Sequence, residues 1–197
     1  MSWLLGLTGS IGMGKSTTAQ MFRDLGIPVW DADEAVHRLY SKGGAAVQPV
    51  SIVFPEALEN GAISREKLKA ALAQDSDGLR QLEQIVHPLV AEDRAAFISS
   101  NSADILVFDI PLLFETGADN WLDSVLVVSA PPETQRTRVL ARAGMTEKQF
   151  EIILDRQMPD VEKRSRADHV IETDAMDDTR KAVRHLVEEL RKNMADA

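Results

Sequence analysis

Eight residues near the start of the chain, Gly9-Ser10-Ile11-Gly12-Met13-Gly14-Lys15-Ser16, fit the phosphate-loop spacing GxxxxGK[ST] at every fixed position. The residue types suit the chemistry that this spacing serves. Glycines let the main chain curl so that its N–H groups converge on phosphate oxygens, and a following helix adds the partial positive charge of its N-terminus. The lysine reaches the β- and γ-phosphates, and the adjacent hydroxyl is a ligand for Mg²⁺. Gly9, Gly12, Met13, Gly14, Lys15, Ser16 and Thr17 are therefore the candidate contacts to a nucleoside triphosphate. A glycine turn that merely happens to carry Lys-Ser is the alternative, but turn chemistry requires neither the lysine nor the hydroxyl.

Acidic residues supply the next candidates. Asp31 and Asp33 follow the apolar run Ile27–Trp30, and in a parallel sheet the carboxyl ends of the strands share an edge with the phosphate loop. Either carboxylate suits orienting an acceptor hydroxyl or taking its proton, with Asp33 the stronger candidate. The competing expectation is that Asp33 caps a helix beginning at Glu34. Ile105-Leu-Val-Phe-Asp109 is an apolar strand ending in an acid, the form that holds Mg²⁺ through water in phosphate-loop enzymes. Ile110–Glu115 continues from it, and Leu112 and Glu115 are candidates for lining the acceptor pocket. Arg136, Arg138 and Arg142 open a basic cluster that runs on to Lys148, Arg156, Lys163, Arg164 and Arg166. Arg138 and Arg142, four apart, are expected on one face of a helix starting near Pro132. A mobile lid that brings an arginine to the transferring phosphoryl group would use such a cluster, and Arg142 is the candidate. A solvated helix face is the ordinary alternative.

These residues need elements to hold them. Five apolar runs read as strands: Leu4–Leu7, Ile27–Trp30, Ile105–Phe108, Val125–Val128 and His169–Ile171. Helical patterns lie between them, so the expected fold is α/β, with a five-stranded parallel sheet covered by helices on both faces. The interval from Asp33 to Ser102 is too long for one crossover. It carries helical patterns at 35–40, 64–73 and 79–97 and an apolar patch at 47–54, and reads as a helical substrate-side subdomain. The core is then 1–32, 103–131 and 167–197, the subdomain 33–102 and the lid 132–166. The chain closes with an amphipathic helix whose apolar face is Val183, Leu186, Val187 and Leu190.

Composition removes several classes. Of the 197 residues 44% are hydrophobic, ample for a core, and no cysteine is present, so there is neither a disulfide framework nor a thiolate zinc site. No apolar stretch is long enough to span a bilayer and the first residues lack the basic segment of a secretion signal, so a cytoplasmic enzyme without a membrane partner is expected. A net charge of −9 disfavours nucleic acid as a partner, because the broad positive field is missing.

Taken together, the motifs resemble the dephospho-CoA kinases over nearly the whole chain. The resemblance rests on the loop Leu7–Ser16, Leu25-Gly26 leading to Asp31-Ala32-Asp33, and His87-Pro88. It extends through Asp109-Ile-Pro-Leu-Leu-Phe-Glu115, Gln135 with Arg136, Arg138 and Arg142, then Gln157, and Ala167-Asp-His-Val-Ile171. It implies a fold like that of the nucleoside monophosphate kinases. It also implies transfer of the ATP γ-phosphoryl group to the ribose 3′-hydroxyl of dephospho-CoA, giving CoA and ADP, with Mg²⁺ as cofactor. By the same resemblance Asp33 is the candidate base, Arg142 the lid arginine, and His87 lies near the acceptor. The chain departs from the family pattern where Ser10 and Met13 replace Gly and Ser, where Pro55 follows Phe54, and where Glu172-Thr173 replaces an Asn near the expected adenine. A kinase of another small acceptor, such as a nucleotide or shikimate, would share the loop, the lid and the Mg²⁺ ligands. A regulatory GTPase would need an [NT]-K-x-D segment, which the sequence lacks. The third alternative is a nucleotide-binding partner protein without phosphotransfer.

Overall fold

The computed structural model describes residues 2–196. The chain runs β1 (Trp3–Thr8), α1 (Lys15–Asp24), β2 (Val29–Asp31), α2 (Ala32–Tyr40), α3 (Val47–Val53), the two-residue strands β3 (Leu58–Glu59) and β4 (Ala62–Ile63), α4 (Arg65–Leu72) and α5 (Gly78–Ser100). It continues through β5 (Ile105–Asp109), β6 (Ser124–Ser129), α6 (Pro132–Leu140), α7 (Glu147–Asp155), α8 (Asp160–Arg166), β7 (His169–Glu172) and α9 (Met176–Asp196). All five expected strands form, and they make one sheet in the order β2-β5-β1-β6-β7. Each strand of this sheet whose register is described pairs in parallel, with Leu5 opposite Val107 on one side and Ser124 on the other.

The sheet sorts its side chains by alternation. Leu5, Leu7, Leu126 and Val128 belong to a core that also takes Met21 and Phe22 of α1 and Val183, Leu186, Val187 and Leu190 of α9. Val125 and Val127 pack with Leu113 and Phe114 in a separate cluster. Phe108 adds an edge-on contact with Trp121, at 4.9 Å between ring centroids, and a tilted one with Trp30 at 6.0 Å. Every residue of β5 and β6 is buried, which is why these strands read as unbroken apolar runs. The edge strand β7 keeps one side open, and Val170 is exposed there.

The described residues up to Trp30 and from Ser102 onward form one compact unit, and Asp31–Asn101 form another. The second unit has its own core of Leu39, Tyr40, Val50, Phe54, Leu68, Leu82 and Val86. Within it, β3 and β4 form a hairpin turned by Asn60 and Gly61, both at positive φ. Pro55 opens a single 3₁₀ turn, where a missing N–H costs nothing. Pro88 sits inside α5, which continues across it to Ser100.

Two local expectations are corrected. The residue capping α2 is Asp31, whose Oδ1 accepts from the Glu34 N–H at 3.0 Å; Asp33 lies inside the first turn. The helix takes the earlier acid because a cap needs extended φ/ψ, and Asp31 still has strand geometry. α6 ends at Leu140 with Ala141 as its C-cap, so Arg142 lies in the following turn, off the helical face it was expected to share with Arg138.

No helix among the described residues is long and apolar enough to cross a membrane. α9 is part of the core, so Leu190→Ala should lower the unfolding free energy by about 3 kcal/mol through the cavity it leaves. Arg191→Ala removes only an exposed pair with Asp104 and should cost about 1 kcal/mol or less. Urea unfolding curves of the two variants check the contrast.

Candidate active site

The phosphate loop leaves β1 and turns over the carboxyl end of the sheet. Gly12 and Gly14 both take positive φ, +79° and +86°, conformations that side chains with a Cβ rarely adopt. The loop also has no room for side chains there: a Cβ on Gly12 would stand 2.5 Å from the Val139 Cγ2, and one on Gly14 2.9 Å from the Thr173 hydroxyl oxygen. Gly9 is confined in the same way, 2.7 Å from the Val128 carbonyl oxygen.

Gly14 is also the N-cap of α1, and among the described residues no side-chain hydrogen bond caps that helix. Nor does the first turn contain an acidic residue, the usual complement to a helix N-terminus. The first-turn N–H groups and the positive end of the helix dipole are thus left for an anion from outside the chain. Ser16 and Thr17 stand exposed in this turn. Lys15 reaches across to β5, where its Nζ forms an ion pair with Oδ1 of Asp109, a carboxylate only 2% exposed. Lys15, at the end of the loop, and Asp109, at the end of β5, are therefore brought together, with Ser16 the next residue along α1.

Glutamines and a threonine hold the loop from behind. Gln135 of α6 donates to the Ile11 carbonyl at 2.8 Å, and Gln157 accepts from the Ile11 N–H at 3.0 Å. Thr173 donates its hydroxyl proton to the Met13 carbonyl at 2.9 Å. The Met13 side chain is buried, and its sulfur accepts from the Ala130 N–H at 3.0 Å. Reasoning from residue types gave none of these four a role in supporting the loop. A glutamine or threonine bonded to the main chain leaves no spacing rule behind, and the partners lie over a hundred residues apart in every case.

The basic cluster largely separates into local pairs. Arg136 is paired with Glu147, Arg164 with Glu172 at 3.2 Å, and Arg166 with Asp119 at 3.1 Å while lying 4.5 Å above the Phe114 ring. Arg138 donates to the carbonyl and the hydroxyl of Thr173. Among the described residues, the guanidinium groups of Arg142 and Arg156 take no hydrogen bond or ion pair. Leu112 is exposed beyond β5, but the Glu115 carboxylate is engaged by the buried Lys163 Nζ and the Met158 N–H, both at 2.8 Å. In the second unit Asp33 is exposed, its carbonyl accepting from Arg65 at 3.3 Å, and His87 is exposed on α5. Asp31 is the helix cap already described.

No group of three or more His, Cys, Asp or Glu residues suited to holding a metal occurs among the described residues. The Ser16 hydroxyl and the Asp109 carboxylate are nonetheless hard oxygen donors, the set that Mg²⁺ accepts when substrate phosphates and water complete its shell. The donor set fits that ion.

A sequence model of the dephospho-CoA kinase family matches residues 3–178. A dephospho-CoA kinase of Ruegeria pomeroyi is 59% identical over 191 residues, covering 97% of each chain. Among solved structures, a Thermus thermophilus protein superposes with a TM-score of 0.84 at 34% identity, covering 95% of this chain and 97% of its own. A dephospho-CoA kinase of Campylobacter jejuni gives 0.72 at 26% identity, covering 98% of this chain and 99% of its own. The chain belongs to the dephospho-CoA kinase family, a phosphate-loop kinase fold.

The Glu115–Lys163 pair makes a pH-dependent contribution. Burial pushes the Glu115 carboxyl up, but the Lys163 ammonium and the Met158 N–H outweigh it and hold the group below its ordinary 4.5. Because the folded-state value is the lower one, the stabilisation is complete above about 4.5 and is lost as pH falls through the folded value. Glu115→Gln should therefore melt below the unsubstituted protein at pH 7, and the gap should narrow progressively below pH 4.5. Thermal melts across that range check it, and a gap independent of pH would contradict it.

Proposed function

We propose that this chain transfers the γ-phosphoryl group of ATP to the ribose 3′-hydroxyl of dephospho-CoA, releasing CoA and ADP. The observation that carries the reading is the uncapped, acid-free N-terminus of α1 behind a glycine loop, in a chain of this family. The loop N–H groups of Gly12 and Gly14, with those of the first turn of α1, bind the phosphates. Gly9 and Met13 let the loop pack this closely, and Thr17 stands at its helical end. On nucleotide binding, Lys15 exchanges Asp109 for the β- and γ-phosphate oxygens. Ser16 and, through water, Asp109 would hold Mg²⁺, which would neutralise phosphate charge.

Asp33 orients the acceptor hydroxyl and takes its proton, a role supported by its exposed carboxylate at the start of α2. Asp31, Leu112 and His87 belong to the acceptor side. Glu115 contributes through Lys163 by fixing the segment after β5. Arg142 is the arginine offered to the charge developing on the transferring group, and its unpaired guanidinium supports this. The segment 132–166 acts as the lid that carries it. Little covalent chemistry falls to the protein, so positioning and charge stabilisation supply the rate.

Mg-ATP with dephospho-CoA should give ADP and CoA, while CMP, AMP and shikimate as parallel acceptors should give no turnover. Turnover with one of those instead would keep the phosphate chemistry and reject the acceptor. Lys15→Ala should lower kcat/KM by about a hundredfold or more. Asp33→Asn should lower kcat by about 10² to 10⁴ with ATP affinity retained, and a loss confined to ATP binding would remove Asp33 from the proton transfer.

A further inference from the structure

Thr173 lies just past β7, far from the loop in sequence, and is buried against it. Its N–H donates to the Ser129 carbonyl at 2.8 Å, which ties this stretch to the end of β6. Its hydroxyl has one proton and two lone pairs. Arg138 can only donate, and it does so twice: to the Thr173 carbonyl at 2.6 Å and to the hydroxyl oxygen at 3.0 Å. With a lone pair taken by Arg138, the hydroxyl proton is directed at a carbonyl. The Met13 carbonyl, at 2.9 Å, is nearer than that of Ser129, at 3.3 Å, which already accepts the Thr173 N–H.

That bond has a consequence on the other side of the same peptide. No peptide among the described residues is cis, and a trans peptide is planar, with its C=O and N–H pointing in opposite directions. Holding the Met13 carbonyl on Thr173 therefore turns the Gly14 N–H away from Thr173. Thr173 also packs directly against Gly14: its Oγ1, Cβ and Cγ2 lie 2.9 to 3.2 Å from where a Cβ on Gly14 would stand. At positive φ, glycine itself has several alternative conformations within reach, so an external hold on this peptide matters. We infer that Thr173, oriented by Arg138, is a positioning residue for nucleotide binding: it sets the plane of the Met13–Gly14 peptide so that the Gly14 N–H faces the phosphates. Arg138 thus acts behind the loop and not on the transferring group. The inference rests on the reading of this loop as the ATP site.

The test is direct ATP affinity with no acceptor present, by titration calorimetry, alongside thermal melts and steady-state kinetics. Thr173→Val keeps the shape and removes the hydroxyl, leaving Met13 O and Arg138 each short of a partner. ATP affinity should fall about tenfold while the KM for dephospho-CoA is unchanged. Thr173→Ser should restore ATP affinity to within about twofold of the unsubstituted protein, because it returns the donor. Arg138→Met should resemble Thr173→Val, and the double variant should be no worse than either single one. If Thr173→Val does not fold, Arg138→Met with Thr173→Ser carries the same comparison. Unchanged ATP affinity in Thr173→Val, failure of Thr173→Ser to restore it, or a loss appearing only in acceptor KM would each overturn the inference. Absence of ATP binding by the unsubstituted protein would overturn the reading beneath it. Failure of dephospho-CoA as acceptor, with ATP affinity following this pattern, would reject the acceptor alone.

Discussion

An anion bound by main-chain N–H groups requires a backbone that comes close enough to converge on it and cannot relax once there. In this chain that requirement falls on residues 9–14. Three glycines in that stretch lie so near other atoms that a Cβ would collide, at Val128, Val139 and Thr173. The same closeness that excludes side chains also holds the loop, because β6, α6 and the segment after β7 press on it from behind. Much of the first unit can be understood as the support for that one turn. The parallel sheet fixes the end of β1, and the core between sheet, α1 and α9 fixes the helix whose N-terminus faces the anion.

Charge is arranged with similar economy. A chain with net charge −9 must meet a polyphosphate with local positive charge, yet half of its basic cluster is already ion-paired. Arg136, Lys163, Arg164 and Arg166 hold neighbouring segments together, and Arg138 holds Thr173. Lys15 is also paired, but with the buried Asp109 at the strand end beside β1, in the place where a triphosphate would compete for it. An ammonium so placed is kept aimed at the loop without being committed to a distant site.

The helical unit solves a separate packing problem. Its helices are short except for α5, and it buries its own cluster around Tyr40, Val50 and Phe54. Asp31 ends a strand and caps α2, leaving Asp33 exposed in the first helical turn. The two carboxylates are thus distinguished by backbone conformation: Asp31 caps the helix, and Asp33 stays exposed.

The central strands β5 and β6 were legible because a strand buried on both faces needs an unbroken apolar run, and both have one. The phosphate loop was legible because its chemistry demands particular residue types at fixed spacing. Local pattern also located α9, whose apolar face follows the helical period into the core. What the pattern left open was decided by contacts distant in sequence. Arg138 and Arg142 look equivalent four residues apart, but α6 ends between them and Thr173 takes only the first. Glu115 reads as a pocket residue, but only the fold shows Lys163 buried beside it, and Thr173 reads as a departure near the nucleotide, but only the fold shows its hydroxyl on Met13 O. Residue type and spacing determine which chemistry a segment can perform, since those are local properties of the chain. Which polar groups are already satisfied depends on what the folded chain brings next to them, and only the tertiary structure decides that.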